Sequence, residues 1–269
     1  MDARVEGLGL GSIQEINALP RDAAEALYSR LIPEVLVERL GIDPLTLRGP
    51  GGTRLVRITA PRNESWARVE VRSTAEDRDP TLLVDVEMAP LSLPELAFVQ
   101  ITDPRGPRYA IDRDADGRDT LFGTVARNVD EELRAMKDGL GPGQVRRGQR
   151  LLARVLEAME VFCRFIGKEM YLIEPLFYHS AILYERRGCG YVMGREVMEA
   201  IHAGFSPGGA FLAELDGSSP FRQLGGERTV RGRSWALHDG VGGHLWSGVK
   251  MYKVTGRPAD VSTFPNAIY

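Results

Sequence analysis

Two periodicities in the hydrophobic residues divide the chain into a strand-rich stretch and a helix-rich stretch. Between residues 54 and 112, short apolar runs are separated by Pro, Gly and Asp, which predicts strands at 54–59, 67–72, 82–87, 97–102 and 108–112. In the second run, Val69 and Val71 alternate with charged residues. This alternation predicts an antiparallel meander with one face in water and the other on a core.

From residue 128 onward, apolar residues recur every three or four positions, which predicts helices. The strongest stripe, from Leu152 to Ile166, predicts one long amphipathic helix over 145–166. Shorter helices are predicted at 130–137, 180–187 and 195–203, with strands at 170–176, 190–193 and 248–254. Residues 205–247 are rich in glycine and are predicted to be irregular. The first forty residues are predicted to be helical and to end at Gly41.

These elements predict an α+β protein with a mixed, mostly antiparallel sheet flanked by helices. We expect three regions along the chain. They are an N-terminal helical segment over 1–50, a core over 51–204, and a glycine-rich C-terminal lobe over 205–269 that packs on the core.

Composition narrows the class of protein. Of the 269 residues, 43% are hydrophobic and 26% are charged, which is typical of a folded, water-soluble chain. Lys and Arg total 34 against 37 Asp and Glu, so nucleic acid is not an expected partner. No apolar run is long enough to cross a membrane, and two cysteines with no secretory leader favour a cytoplasmic location. We expect a small-molecule substrate. Whether the protein forms a homodimer stays undecided.

A family resemblance follows from the order sheet, long helix, strand, helix, strand. The stretches 145–152 (VRRGQRLL), 170–176 (MYLIEPL) and 180–191 (SAILYERRGCGY) together resemble the core of the GCN5-related N-acetyltransferases. The resemblance implies an acyl-CoA N-acyltransferase-like core and acyl-CoA as co-substrate. It therefore implies transfer of an acyl group to a small-molecule amine.

The resemblance also implies roles for particular residues. A loop at a helix N-terminus would hold the coenzyme A pyrophosphate, and the matching residues are Arg146, Arg147, Gly148 and Gln149. Tyr184 falls on the tyrosine that protonates the departing thiolate. Where the family has glycine, and then glycine or alanine, this chain has Arg150 and Leu152.

The stretch 235–246 (WALHDGVGGHLW) is the densest in chemically useful side chains. Tryptophans supply flat apolar walls, glycines allow close approach of a ligand, and an imidazole can exchange a proton near neutral pH. We therefore expect His238 or Glu174 to act as the catalytic base. The expected substrate-binding residues are Trp235, Asp239, Trp246 and His179.

Two other functions stay open. All four histidines, His179, His202, His238 and His244, lie in the C-terminal part, and with nearby carboxylates they would form a metal-dependent enzyme. Glu199 and His202 have the spacing of two ligands on one helix face, but a surface ion pair is the commoner explanation of that spacing. The missing loop glycines favour the second alternative, a non-catalytic ligand-binding or interaction protein on a degenerate acetyltransferase fold.

Overall fold

The computed structural model describes residues 9–243 and 246–269. The chain divides into two compact units, one with residues up to Arg105, Gly148–Ile173 and Lys253–Arg257, the other with Gly106–Arg147, Glu174–Tyr252 and Pro258–Tyr269. The α-helices are α1 (Ile13–Ala18), α2 (Arg21–Tyr28), α3 (Glu34–Leu40), α4 (Val129–Lys137), α5 (Leu152–Phe165), α6 (Tyr178–Glu185), α7 (Arg195–Gly204), α8 (Ala210–Ala213) and α9 (Val230–His238).

The strands confirm the predicted α+β class with a mixed, mostly antiparallel sheet. They are β1 (Val56–Thr59), β2 (Trp66–Val71), β3 (Leu82–Ala89), β4 (Leu93–Ile101), β5 (Met170–Ile173), β6 (Gly190–Met193) and β7 (Lys250–Val254), in the order β1-β2-β3-β4-β5-β7-β6. The first four form an antiparallel meander, as predicted. The β4–β5 pair is parallel and the β6–β7 pair is antiparallel.

In the first unit, the alternation along β2 separates a core face from a solvent face. Val69 and Val71 are fully buried, whereas Arg68 is exposed. Arg68 lies opposite Asp85 of β3 and donates two hydrogen bonds of 2.7 Å to its carboxylate. The charged residues of the pattern therefore pair with one another across the outer face, as the period of two requires.

Helix α5 is the last element of the connection between the parallel strands β4 and β5, which also contains α4. Its apolar stripe is buried, and Phe162 stacks on Tyr28 of α2 with 5.8 Å between ring centroids. The Tyr28 hydroxyl donates to the side-chain oxygen of Asn17 at 2.6 Å. The apolar period of 3.6 thus places α5 against the core of the first unit.

The predicted start of this helix, at Val145, was wrong. Helix α5 begins at Leu152, and Arg150 has a φ of +58°, which a continuing right-handed helix cannot contain. The carbonyl of Val145 instead accepts a hydrogen bond from the N–H of Tyr109 at 2.9 Å. The residues Arg146 to Arg150 therefore precede the helix and do not form its first turn.

The predicted strand over 108–112 was also wrong. In the second unit, Tyr109 and Ile111 are buried against Ala135 of α4, with Leu140 and Val145 in the same cluster. Their alternation therefore reflects packing against a helix and a loop, because a period of two does not distinguish this from pairing in a sheet.

The region after Gly204, predicted to be irregular, contains two helices. Thr229 caps α9 by accepting a hydrogen bond from the N–H of Gly232 at 2.9 Å, and Trp235 in its middle donates to the carbonyl of Leu140 at 2.8 Å. Tertiary packing therefore stabilises a helix that contains Gly232 and lies in a glycine-rich region of the chain. Among residues 9–243 and 246–269, no helix is both long and apolar enough to span a membrane.

Candidate functional site

A cavity of about 350 Å³ lies within the second unit. Its walls are the segment 123–127, the residues 176–178 at the start of α6, and three residues of α9, with Gly243 and Trp246 beside them. The α9 residues are Ser234, Leu237 and His238, whose spacing of three and four places them on one helix face. A cavity of this size fits a small molecule.

His238 and Glu132 form a hydrogen-bonded pair at this cavity. Nε2 of His238 lies 3.0 Å from Oε1 of Glu132, a residue of α4 whose side chain is fully buried. Burial alone would raise the pKa of Glu132, but hydrogen bonds from His238 and Arg127 outweigh it and hold that pKa below its ordinary value. Because an ionised carboxylate only accepts, Nε2 carries a proton, and in the tautomer that keeps its one proton there Nδ1 is the acceptor.

Arg127 holds the carboxylate from the other side. Its Nε and Nη2 donate to Oε2 of Glu132 at 2.8 and 2.6 Å, and its Nη1 donates to Oδ1 of Asp239 at 3.0 Å. Arg222 donates to the other oxygen of Asp239 at 2.9 Å. Burial opposes ionisation of Asp239, but hydrogen bonds from Arg127, Ser219 and Arg222 keep its pKa low. Two carboxylates and two guanidinium groups thus balance each other around the His238 ring.

Aromatic rings fix the position of His238. Phe177 meets its ring edge to face at 5.6 Å and Trp235 does so at 5.8 Å. Gly123 lies against the pair, since a Cβ at this position would be 3.0 Å from Oε1 of Glu132 and 3.4 Å from Cε1 of His238. The imidazole is therefore held at one orientation, with its carboxylate shielded by backbone.

A second histidine is buried beside the cavity. Nδ1 of His179 lies 2.9 Å from the hydroxyl of Ser234, which also accepts the backbone N–H of His179 at 3.4 Å. Burial, with smaller contributions from the charges of His238 and Arg231, lowers the pKa of His179 to about 3. His179 is therefore neutral. Its contacts with Ser234 link the start of α6 to α9 and support the wall of the cavity.

This buried histidine makes the stability of the protein dependent on pH. Its pKa is lowered on folding, so the unfolded chain binds a proton between about pH 6.5 and pH 3 that the folded chain does not. We expect the free energy of unfolding to fall as the pH drops from 6.5, with a slope of up to about 1.4 kcal/mol per pH unit from His179. Denaturant titrations between about pH 5 and 6.5, above the range of most carboxylates, measure this slope.

The His179→Gln variant should lose most of that slope. His202, half-buried and next to Arg233, has a pKa lowered in the same direction by burial and then by that charge, so His202→Gln is the matched control with a smaller expected change. An unchanged slope in His179→Gln would contradict the buried neutral state.

A glycine supports the cavity wall by close approach. Gly143 has a φ of +76°, and a Cβ there would lie 2.2 Å from Cε2 of Phe177. We expect Gly143→Ala to destabilise by about 1–2 kcal/mol from backbone strain and by a further 1–3 kcal/mol from displacement of Phe177. Gly117→Ala is the matched control, because its φ is +79° and a Cβ would meet nothing within 4 Å. Equal thermal shifts in the two variants would show that the contact with Phe177 is not tight.

The predicted substrate-facing residues are partly brought together. His238 and Trp246 line the cavity, while Trp235, Asp239 and His179 contact residues that line it or lie beside them. The predicted loop over 235–246 is a helix up to His238, because Trp235 and its neighbours pack in the interior of the second unit. His244 lies outside the described residues.

Two predicted catalytic residues lie away from the lining of this cavity. Glu174 is largely exposed and lies 3.6 Å from Nζ of Lys250. Tyr184 is buried in α6, and burial raises the pKa of its hydroxyl. Neither is among the residues that line the cavity.

The predicted phosphate-binding loop uses its side chains internally. In the second unit, Arg146 donates to the carbonyl of Gly106, and Arg147 donates to that of Asp138 at 2.9 Å. In the first unit, Gln149 donates to the carbonyl of Thr102 at 2.5 Å, and a Cβ on Gly148 would be 3.3 Å from the carbonyl oxygen of Ile101. These side chains therefore hold the loop in place.

The histidines do not gather around a common point in the described residues. No group of three His, Cys, Asp or Glu side chains within 9–243 and 246–269 is placed to hold a metal ion. Glu199 pairs with Arg195 at 2.8 Å, and Nδ1 of His202 lies 3.2 Å from Nη1 of Arg233. The two residues of the predicted helix-face pair thus have other partners.

Sequence reasoning missed Glu132, Arg127 and Ser234. A signal for Glu132 was present, because it lies three residues before the buried Ala135 on the apolar face of α4, where a carboxylate needs a partner. Arg127 lies in an irregular segment with no periodicity, and nothing in the sequence indicated it. Compared with models of protein families, with curated proteins and with solved structures, the chain matches none.

Proposed function

We propose that the cavity of the second unit is the catalytic centre of a small-molecule enzyme in which His238 is the general base. The observation that carries this proposal is the pair of His238 with the buried, ionised Glu132 at a cavity wall. A carboxylate that accepts a hydrogen bond from Nε2 fixes the tautomer of the ring. It also stabilises the imidazolium that forms when Nδ1 accepts a proton. The position of His238 in the last turn of α9 adds to this, since the helix C-terminus favours a cation.

The proposed reaction is acyl transfer from coenzyme A to a small-molecule amine. The element order from α5 onward supports it, because α5, β5, α6 and β6 follow one another in the order on which the acetyltransferase resemblance rests, although α4 lies between the meander and α5. An amine acceptor is protonated at neutral pH and needs a base before it can attack a thioester. His238 supplies that base, and Tyr184, which keeps its proton, stays the proposed acid.

The residues before α5 fit a phosphate group through their backbone. Helix α5 has no side-chain hydrogen bond at its N-cap, Leu151, so its first N–H groups remain for an anion. Arg150 stands where the family has glycine, yet its φ of +58° is the left-handed conformation that glycine favours. The backbone N–H groups at the start of α5 would therefore hold the pyrophosphate of coenzyme A, whereas Arg146, Arg147 and Gln149 position the loop.

The engaged loop side chains also support a second candidate, a ligand-binding protein without catalysis. In this function the cavity binds the same small molecule and coenzyme A does not bind. The two functions differ in one measurable property, the affinity for acetyl-CoA.

Calorimetric titration of the full chain with acetyl-CoA tests the proposal, followed by release of free thiol in the presence of small primary amines. We expect binding, a rise in the midpoint of thermal unfolding, and thiol release that requires an amine. Gly148→Glu, which places a carboxylate in the loop before α5, should weaken the binding of acetyl-CoA. Absence of acetyl-CoA binding in the folded protein would contradict acyl transfer and favour the binding function.

A further inference from the structure

We propose that the amine acceptor is an organic cation with an aromatic or similarly flat apolar body, and that acidic compounds are excluded. This inference rests on the proposed function, since it names the substrate class of the same cavity. It follows from the apolar walls, from the charges around His238 and from the hydrogen-bonding character of that ring.

The walls offer aromatic surface to a ligand. Phe177, Tyr178 and Trp246 all line the cavity, and the rings of Tyr178 and Trp246 meet edge to face at 6.3 Å. The indole N–H of Trp246 donates to the carbonyl of Leu176 at 2.8 Å, so the polar atom of this ring is already bonded. Aromatic faces attract cations and flat apolar groups and offer nothing to a carboxylate.

The charged residues leave no cation uncommitted for an acidic ligand. Among the described lining residues, Arg127 carries the fixed positive charge, and it pairs with the carboxylates of Glu132 and Asp239. Asp239 also pairs with Arg222, so that two carboxylates and two guanidinium groups balance. The Arg127 guanidinium also lies 4.9 Å from the centre of the Phe221 ring. A ligand carboxylate would therefore find the Arg127 guanidinium already engaged and would lie near the buried carboxylate of Glu132.

The polar group offered by His238 selects a donor. In the tautomer that donates from Nε2 to Glu132, Nδ1 is the acceptor. An ammonium group can donate to Nδ1, whereas a carboxylate would place acceptor against acceptor. Nδ1 of His238 thus acts as the base and also selects a ligand that can donate a hydrogen bond to it.

The reaction converts the ammonium group and the thioester into an amide and a free thiol. Nδ1 takes one proton from the ammonium group and later releases it to solvent. The amine nitrogen attacks the thioester carbonyl, an N–C bond forms and the C–S bond breaks. Tyr184, the proposed acid, donates its proton to the departing thiolate and is reprotonated by the second proton that the nitrogen loses. The products are the amide, the free thiol of coenzyme A and one proton.

The inference is tested with three probes that share a phenylethyl group and differ in their polar group. They are phenethylamine, 2-phenylethanol and 3-phenylpropionate. Their binding to the full chain at neutral pH, without acetyl-CoA, is measured by calorimetry or ligand-observed NMR. We expect phenethylamine to bind at least about tenfold more tightly than 3-phenylpropionate, with the alcohol between them. Equal or tighter binding of the carboxylate, or no binding of any of the three, would overturn the inference.

A tryptophan variant locates the binding. Trp246→Ala should weaken phenethylamine binding by about three- to thirtyfold. Trp66→Ala is the matched control, because Trp66 is a partly exposed residue of β2 in the first unit and should leave binding unchanged. Equal losses in the two variants would place the probe elsewhere and contradict the site.

The two proposals fail separately. If phenethylamine binds with this preference but acetyl-CoA does not bind, acyl transfer is wrong and the cation-selective cavity stands. If thiol release occurs with a neutral or acidic acceptor but not with aromatic amines, acyl transfer stands and the inference about the substrate is wrong.

Discussion

Replacing Glu132 with alanine is expected to lower the free energy of unfolding by about 3–5 kcal/mol. The side chain is fully buried and accepts three hydrogen bonds, two from Arg127 and one from His238. Its loss leaves the Arg127 guanidinium with one of its two carboxylates and His238 without a partner. Desolvated charge without a partner costs more than the pair contributes when intact, so the loss exceeds that of a surface ion pair.

Urea unfolding followed by tryptophan fluorescence measures this loss, because Trp235 contacts the His238 ring. Glu157→Ala is the control, since Glu157 forms an exposed pair with Arg154 at 2.8 Å and should change the free energy by less than about 1 kcal/mol. A Glu132→Ala variant as stable as the Glu157→Ala variant would show that the buried pair does not hold the cavity together.

The pH dependence of this carboxylate has a definite sign. The folded pKa of Glu132 lies below its ordinary value of 4.5, so its contribution is present above that pH and is lost as the pH falls through the folded pKa. The isosteric Glu132→Gln variant should be less stable than the wild type at neutral pH, and the gap should narrow in acid. A gap that is constant with pH would mean that Glu132 is not ionised in the folded protein.

The second large effect concerns the proposed base. His238→Gln is expected to lower kcat/KM for amine-dependent thiol release by about 10²- to 10⁴-fold, the usual contribution of a general base. Acetyl-CoA binding should be unchanged, because the phosphate is proposed to bind the backbone N–H groups at the start of α5 and not His238. The thiol-release assay gives the rate, and calorimetry gives the affinity for acetyl-CoA.

Two comparisons make this prediction specific. The rate lost in His238→Gln should be partly recovered as the pH is raised, since a larger fraction of the amine is then already deprotonated. His202→Gln should keep the wild-type rate, because His202 lies in α7 outside the residues that line the cavity. A His238→Gln variant with the wild-type rate at neutral pH would exclude His238 as the base.

The local sequence predicted most elements because their patterns were strong and short-ranged. The strand β6 was predicted at its observed bounds, because Gly188 ends the segment before it and Gly194 follows it. Helix α3 ends at Gly41, as predicted, because the left-handed φ of +61° there suits glycine. The failures share another cause. Helix α9 and the start of α5 depend on partners far along the chain, which no local pattern contains.

The residues of the candidate site were likewise predicted only where a local pattern indicated them. The sequence indicated His238 through its dense aromatic and glycine-rich surroundings, but its partner Glu132 lies 106 positions earlier. Arg127 joins Glu132, five residues away, to Asp239, 112 residues away. Spacing cannot predict such contacts, because they require the segment 123–127, α4 and α9 to pack around one cavity.

The sequence by itself therefore determined the α+β class, the meander of β1–β4 and the helix-rich second half, because periods of two and 3.6 depend only on neighbouring residues. It also indicated His238 as a candidate residue, and the structure places that side chain at the cavity wall. Only the tertiary structure decided that Nε2 of His238 lies against a buried carboxylate and that Arg127 pairs with two acidic residues. Those properties arise from desolvation and from contacts between distant segments, which exist only in the folded chain.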